Sequence, residues 1–314
     1  MKRHLFIIDP LDKLNLKKDS TLMLALTMQQ IGFKVAFLFE NDFSIENKKS
    51  QVKIYPFKGI LDKNFSAESL RLEEGEFWSL DKKVTLHMRL DPPFDKRYLR
   101  ILWLLKLLEY QGVEVANSPL GVAAFNEKIY AYAQKNSHPS WIGSNLDSLK
   151  LFCHKLKKAN FKYIILKPLD LYQGFGVEKV LLNDPQFLKI LERNIADKEM
   201  LVAQPYIQNV EKGEIRSIFY KGRELGSILK VPPEGKFLAN IAQGASYHAI
   251  KLSTPIKREC VRISKELLKV GVPWIAYDIL DKKISEVNIT CPGLLVEVSK
   301  AHKKNLANLI IQNF

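Results

Sequence analysis

The stretch Trp274–Gly293, WIAYDILDKKISEVNITCPG, decides the fold. Its two halves alternate apolar and polar residues as half-buried strands do, with Asp281, Lys282 and Lys283 between them. With those three residues as the loop, Asp278 falls directly across from Glu286. Cross-strand neighbours lie ~5 Å apart, so two carboxylates placed there repel. A divalent cation is the cheapest way to offset that repulsion. Asn288 lies two residues beyond Glu286 and projects from the same strand face. Two carboxylates and an amide oxygen are hard donors of the kind Mg2+ takes, with phosphate oxygens and water completing its shell. The plain alternative is a solvated strand face whose acids pair with nearby lysines.

Outward from that hairpin, the chain of 314 residues exceeds one average domain, which sets two or three subdomains as the expectation. With 46% hydrophobic and 26% charged residues it has the composition of a soluble globular protein. The 48 Lys and Arg against 34 Asp and Glu give a net charge of +14, which favours anionic partners. Because the basic residues are spread along the chain, a purely electrostatic tether is disfavoured. Cys153, Cys260 and Cys291 are too few and scattered for a disulfide framework or a zinc site, and a reducing, cytoplasmic setting fits them. The apolar run after Lys2 and Arg3 stops at Asp9 and Pro10, short of a signal-peptide core. ILWLLKLL from Ile101 is broken by Lys106 and is far shorter than the ~18 residues of a membrane span.

The fold class is α/β, in three parts. In residues 1–120, LFIID reads as a buried strand, Asp19 to Gln30 as a helix capped by Asp19 or Ser20, and KVAFLF as a second strand. A helix between strands is the signature of a parallel crossover. Residues 41–83 read as strands and loops; VTLHMRL is a strand ending at DPPFD, Tyr98 to Tyr110 a buried helix and VEVAN a strand. Residues 121–200 form a small α+β module, entered through a helix that opens at Ser118-Pro119 and continues through FNEKIYAYAQ. Residues 201–314 carry MLVAQPYI, EIRSIFYKG and ELGSILKVP as strands, the glycine-bearing loop GKFLANIAQGA, a helix over Pro255 to Val270, the hairpin and a last helix.

Several residues bear chemistry. Lys128 lies in the helix FNEKIYAYAQ, and Lys167 ends the apolar strand YIILKP, where a cation suits phosphate oxygens. For either lysine the plain reading is a side chain snorkelling to the surface. Gly174-Phe175-Gly176 follows, and glycines let backbone amides approach phosphates. In Gln204-Pro205-Tyr206-Ile207 the proline interrupts strand pairing and frees backbone groups for a purine edge. Glu211 and Glu214 suit ribose hydroxyls, and Arg216 suits a transferring phosphoryl group. Each has a dull alternative in a strand end, a solvated glutamate or a surface ion pair.

In order, DPLDKLNLKKDS, MRLDPPFD, NSPLGVAAFNEKIYA, IILKPLD, AQPYI, GEIR, LANIAQG, YDIL and ISEVNITCP resemble bacterial glutathione synthetases, which are ATP-grasp ligases. The resemblance runs collinearly over nearly the whole chain. It implies an N-terminal domain ahead of two α+β subdomains that enclose ATP. It also implies that Lys128, Lys167 and Gly174 meet the ATP phosphates, that Gln204, Tyr206 and Ile207 meet adenine, and that Glu211 or Glu214 takes the ribose. Asp278, Glu286 and Asn288 would hold Mg2+, or Mn2+ in its place. Arg216 and Asn240 would act at the transferring group, the latter from a mobile loop, and Arg89, Asp91 and Glu297 would lie on the peptide-substrate side. The implied reaction phosphorylates a substrate carboxylate and passes the acyl group to an amine, with a γ-glutamyl dipeptide and an amino acid as partners. A homo-oligomer is implied as well.

The departures are specific. Leu171, Tyr172 and Gln173 stand where the family carries a glycine-rich lid, and a bulky segment cannot lay its backbone on phosphates in the same way. Leu90 replaces a lysine, Leu238 and Val296 each replace an arginine, and Cys291-Pro292-Gly293 replaces Ser-Pro-Thr. Each lost arginine removes a bidentate pair with a carboxylate. Besides glutathione synthesis, a ligase for a different acid and amine, a non-catalytic nucleotide-binding protein and a basic nucleic-acid binder are open. The last lacks an aromatic-basic platform.

Overall fold

The computed structural model describes residues 2–47, 50–171, 174–198 and 200–313; Tyr172 and Gln173 of the expected lid lie outside them. Three sheets organise the described residues. The first has seven strands: β1 (Arg3–Ile8), β2 (Lys34–Phe39), β3 (Gln51–Leu61), β4 (Ala67–Leu72), β5 (Glu76–Ser79), β6 (Val84–Arg89) and β7 (Glu114–Ala116). Strand β1 pairs in parallel with β2 and β6, and β6 with β7, while β3 turns back antiparallel against β2. Between β1 and β2 runs α1 (Ser20–Gln30), whose Asp19 cap accepts from the Leu22 amide at 2.7 Å. Every residue of α1 from Ser20 to Met28 is buried, because the C-terminal helices cover the side that the sheet does not. Helix α2 (Lys96–Tyr110) is less buried than expected. Ile101, Leu102, Leu105 and Leu108 face the core, but Trp103 and Tyr110 are 62% and 79% exposed.

Residues 119–132 form two short helices, α3 (Pro119–Ala124) and α4 (Glu127–Tyr132), where the sequence suggested one. The break falls at Phe125 because Asn126 caps α4, accepting from the amides of Lys128 and Ile129 at 3.1 Å each. The second sheet holds β8 (Trp141–Gly143), β9 (Tyr163–Pro168), β10 (Glu178–Leu181) and β11 (Leu201–Pro205) in the order β10-β9-β11-β8. Helices α5 (Leu146–Lys158) and α6 (Phe187–Lys198) cover it. Strand β11, read from sequence as the start of the third region, therefore belongs to the second sheet. Its pairing also continues past the expected stop: Pro205 stays in register with Ile164, and the Tyr206 amide donates to the Tyr163 carbonyl at 3.0 Å.

The third sheet is antiparallel, β14-β13-β12-β15-β16, built from β12 (Glu214–Tyr220), β13 (Arg223–Val231), β14 (Ser246–Ala249), β15 (Trp274–Leu280) and β16 (Lys283–Asn288). One face packs on α7 (Thr254–Lys269), whose Ile256, Cys260, Ile263 and Leu267 meet Phe219, Ile275 and Tyr277. The chain ends in two helices rather than one, α8 (Leu295–His302) and α9 (Ala307–Ile311), separated at Lys303 in left-handed backbone. The three free cysteines form no disulfide, and among the described residues no helix is long and apolar enough to cross a membrane.

Asp278 does stand opposite Glu286, by a different route from the one expected. The loop is two residues, Asp281 and Lys282, both at positive φ (49° and 63°), as a tight hairpin turn of the primed kind requires. Lys283 is already in β16 and pairs with Leu280. A bulge then leaves Ser285 unpaired and shifts the register by one, restoring the Asp278–Glu286 pair. A lysine at positive φ is strained. Lys282→Gly is expected to stabilise the fold by about 0.5–1 kcal/mol, seen as a higher urea midpoint with an unchanged slope. A lower midpoint would contradict the strain.

In the first sheet, His4 and His87 lie side by side in the core with Nδ1 and Nε2 3.0 Å apart, and His87 stacks on Phe6. Burial is the main cause that holds both imidazoles neutral, pushing His4 down to about 4 and His87 well below its usual value. A depressed histidine contributes stability above its unfolded value of 6.5 and loses it as the pH falls. Unfolding free energy should therefore decline between pH 6.5 and about 4. The double variant His4→Gln/His87→Gln should show a flatter profile; an unchanged slope would place the protonation elsewhere.

Candidate active site

The three sheets enclose one large cavity of about 690 Å3. Of the residues to which the resemblance gives a role in the site, all but Glu211 line it. Glu211 is exposed on the short helical turn Gln208–Lys212 and accepts from the Tyr206 hydroxyl at 3.0 Å, whereas Glu214 faces the cavity.

The acidic wall belongs to the third sheet. Burial alone would raise the Asp278 pKa, but Arg216 and Lys230 outweigh it and hold the carboxyl below its usual range. Arg216 grips it with Nε to Oδ1 at 3.1 Å and Nη2 to Oδ2 at 2.8 Å, and Lys230 Nζ reaches Oδ1 at 2.9 Å. The charge opposite Glu286 is thus compensated by an arginine and a lysine in this structure, where the sequence argument called on a cation. Asn288 spends its Nδ2 on Ala276 O and Asp278 Oδ2, which leaves the amide oxygen as its ligand atom. Among the described residues no three His, Cys, Asp or Glu side chains form a metal cage. Two carboxylates and an amide oxygen on one face still fit Mg2+, which draws few protein ligands and completes its shell with water and phosphate.

The basic wall comes from the second sheet and from α4. Lys167 points into the cavity over the Tyr132 ring at 5.2 Å; burial lowers its pKa, against the pull of Glu286, Glu214 and Asp278. Lys128, 8% exposed, donates to the carbonyls of Leu169 and Leu171 at 3.0 and 2.7 Å and lies 4.0 Å from Glu286 Oε1. Gly174 has φ 78°, and a Cβ there would come within 3.2 Å of Leu238. Gln204 donates to Ser140 Oγ at 2.7 Å, and Tyr206 and Ile207 continue the wall. On the N-terminal side Arg89 lies over the Trp274 ring at 4.3 Å and donates to Thr21 Oγ1 and Pro292 O, both at 2.9 Å. Burial raises the pKa of Asp91, which also bonds the Cys291 thiol. Asn240 caps the turn Ile241–Gln243, accepting from the Ala242 amide at 2.9 Å.

Similarity to known proteins bears on this site. A family model for the N-terminal domain of prokaryotic glutathione synthetase matches residues 2–122, and one for its ATP-grasp domain matches residues 127–303. The chain belongs to the prokaryotic glutathione synthetase family. It is an ATP-grasp ligase resembling glutathione synthetase, of a family that uses ATP and Mg2+. The glutathione synthetase of Shewanella oneidensis is 27% identical over 97% of this chain and 95% of its own length. Among solved structures, D-cycloserine synthetase DcsG superposes with a TM-score of 0.67 at 12% identity, over 99% of each chain. The ATP-grasp ligase PsnB with its minimal precursor, Mg and ADP gives 0.62 at 15%, over 98% of this chain and 96% of that one. These likenesses show the ATP-grasp fold.

Among the family departures, Leu90 and Val296 are each 1% exposed and sit in the hydrophobic cores, while Leu238 faces the cavity. The sequence reading missed several residues that organise the site. Lys230 bridges Asp278 and Glu214 and stands opposite Glu214 across a two-strand ladder, a register that the alternation of EIRSIFYKG and ELGSILKVP foreshadows. Half-buried Glu127 accepts at 2.6–2.8 Å from the amides of Ile289 and Thr290 and the Thr290 hydroxyl, fixing the backbone after β16. Lys179 lies 3.4 Å over Tyr206 and 4.5 Å over Tyr163. Lys230→Met would leave half-buried Glu214 without its lysine and buried Asp278 with Arg216 as its one remaining cation, both beside Glu286. It is expected to cost about 3–5 kcal/mol at neutral pH, measured by chemical denaturation; a loss under 1 kcal/mol would show that Arg216 alone suffices.

Proposed function

We propose that this chain joins the carboxylate of a γ-glutamyl dipeptide to the amine of an amino acid at the expense of Mg-ATP. γ-Glutamylcysteine and glycine are the pair, and glutathione is the product. One observation carries the reading. Lys13, Lys18, Arg89, Lys128, Lys167, Arg216 and Lys230 line the cavity against Asp19, Asp91, Glu127, Glu214, Asp278, Glu286 and Glu297, seven charges of each sign. A neutral cavity does not accept a polyanionic triphosphate unless cations enter with it, and a pair of metal-suited acids faces the phosphate-suited lysines. Mg2+, or Mn2+ with the same donors, would be held by Asp278, Glu286 and Asn288 and would draw charge off the phosphate oxygens.

The chain's own groups then divide the work. Lys128 exchanges the carbonyls of Leu169 and Leu171 for phosphate oxygens, and Lys167 meets the same anion. Gly174 brings lid backbone close to it, and Gln204, Tyr206 and Ile207 hold the base. Glu214 supports the ribose in preference to Glu211, which does not line the cavity. Arg216, fixed by Asp278, faces negative charge as the substrate carboxylate attacks the γ-phosphorus, and Asn240 closes beside it. Acyl phosphate and ADP result, and the amine then displaces phosphate. Arg89 and Asp91 hold the peptide acid. A cytoplasmic homo-oligomer is part of the same reading. A different acid–amine pair is the second reading, favoured by Leu238 on the cavity wall where the family carries an arginine.

ADP release with Mg-ATP, γ-glutamylcysteine and glycine, each omitted in turn, tests this. Turnover that needs all three and yields glutathione is expected. Binding of Mg-ATP without turnover on this pair, but with turnover on another acid and amine, would establish the second reading. Glu286→Gln should lower kcat by about two orders of magnitude or more with the fold intact; near-normal kcat would remove the metal assignment.

A further inference from the structure

Lys128 and Lys167 face the same cavity in opposite states. Lys128 spends its ammonium on the carbonyls of Leu169 and Leu171 and lies 4.0 Å from Glu286 Oε1. Among the described residues the Lys167 ammonium has no hydrogen bond or ion pair, and what it meets is the Tyr132 ring, 5.2 Å from Nζ to the centroid. The acids that pull on it are engaged elsewhere: Glu214 with Lys230 and Ser285, Asp278 with Arg216 and Lys230, and Glu286 beside Lys128. Tyr132 ends α4, four residues after Lys128, so the two side chains share a helix face. Ser137 Oγ donates to the Tyr132 carbonyl at 2.8 Å and fixes that end of the helix. The Tyr132 hydroxyl is buried with no partner among the described residues, and burial raises its pKa, so it stays neutral. The ring, and not the hydroxyl, is the part in use.

We propose that Tyr132 is a positioning residue, whose ring holds the Lys167 ammonium in place for phosphate oxygens without using any of its hydrogen-bond donors. A carboxylate in that place would hold the lysine more tightly, but an incoming phosphate would then have to break the pair. An aromatic face attracts the charge through its quadrupole and commits no N–H, which leaves all three donors of the ammonium for the anion. Lys128 has carbonyls to give up before it can bind, whereas Lys167 has none, so the ring reduces the cost of ordering one of the two cations. A single turn of α4 thus supplies one lysine and the support for the other. The assignment rests on the reading above in which Lys167 meets the ATP phosphates.

The test is calorimetry with Mg-AMPPNP on wild type, Tyr132→Phe, Tyr132→Leu, Lys167→Met and the double variant Tyr132→Leu/Lys167→Met. Tyr132→Phe should bind within twofold of wild type, and Tyr132→Leu about tenfold more weakly. In the Lys167→Met background the leucine should add less than twofold, because the ring acts only through that lysine. Equal weakening in both backgrounds, or by phenylalanine as much as by leucine, overturns the proposal. A second measurement needs neither nucleotide nor loss of the ring. In unliganded wild type with carbon-13-labelled lysines, the ε-methylene protons of Lys167, assigned by their absence from Lys167→Arg, should be shifted upfield by the ring. The shift should persist in Tyr132→Phe. An ordinary lysine position in wild type overturns the proposal. Wild type that shows the shift but binds no Mg-AMPPNP defeats the nucleotide reading instead, and the hold of the ring on the lysine stands.

Discussion

The C-terminal half of the molecule depends on how one buried carboxylate finds its countercharge. Asp278 lies 4% exposed in the third sheet, a position that would drive it to take up a proton. Arg216 from the neighbouring strand β12 and Lys230 from β13 keep it ionised. Three strands are thereby tied to one ion network. A slip of one residue in any of them would send a charged side chain into the layer packed on α7. Strand register and site geometry are a single requirement here.

The same economy holds at the junction between the sheets. The backbone from Ile289 to Leu295 is fixed by Glu127 of α4, by Arg89 at the end of β6 through Pro292 O, and by Ser20 of α1 through the Leu295 amide. These anchors come from elements far apart in the chain. The cavity wall after β16 therefore exists only once the N-terminal domain, α4 and the third sheet have packed together. Arg89 and Thr21, which meet within hydrogen-bond distance, show that the N-terminal domain supplies part of the wall itself.

Much of this was legible in the sequence because it rests on periodicity and local caps. The strands LFIID and KVAFLF and the Asp19 cap follow from short-range pattern, while the opposition of Asp278 and Glu286 was reached through a three-residue loop in place of the two-residue turn and bulge that produce it. What escaped depends on distant partners. Asn126 reads as an ordinary helix residue until the chain on either side is seen to turn there. The strand at Leu201 pairs with β8 and β9, and no feature of its own sequence says so. The neutralisation of Asp278 required Lys230, 48 positions away, in a strand whose register was not worked out. One missed signal was local: the buried Ile284 and Val287 lie three residues apart, which breaks the two-residue period and announces a bulge.

That bulge has a consequence for how densely the site is furnished. A regular strand gives every second residue to a face, so a short strand presents polar groups sparsely along any one wall. The extra residue at Ser285 lets its hydroxyl meet Glu214 at 3.1 Å while the next residue, Glu286, also lines the cavity, with Asn288 close behind. Three polar side chains within four positions serve one surface, and Ile284 and Val287 keep their places in the core. The irregularity raises the number of functional groups per length of backbone without lengthening the sheet. It also absorbs the difference between the two-residue turn and the spacing the paired acids need, leaving the tip of the hairpin free to change without moving the chemistry.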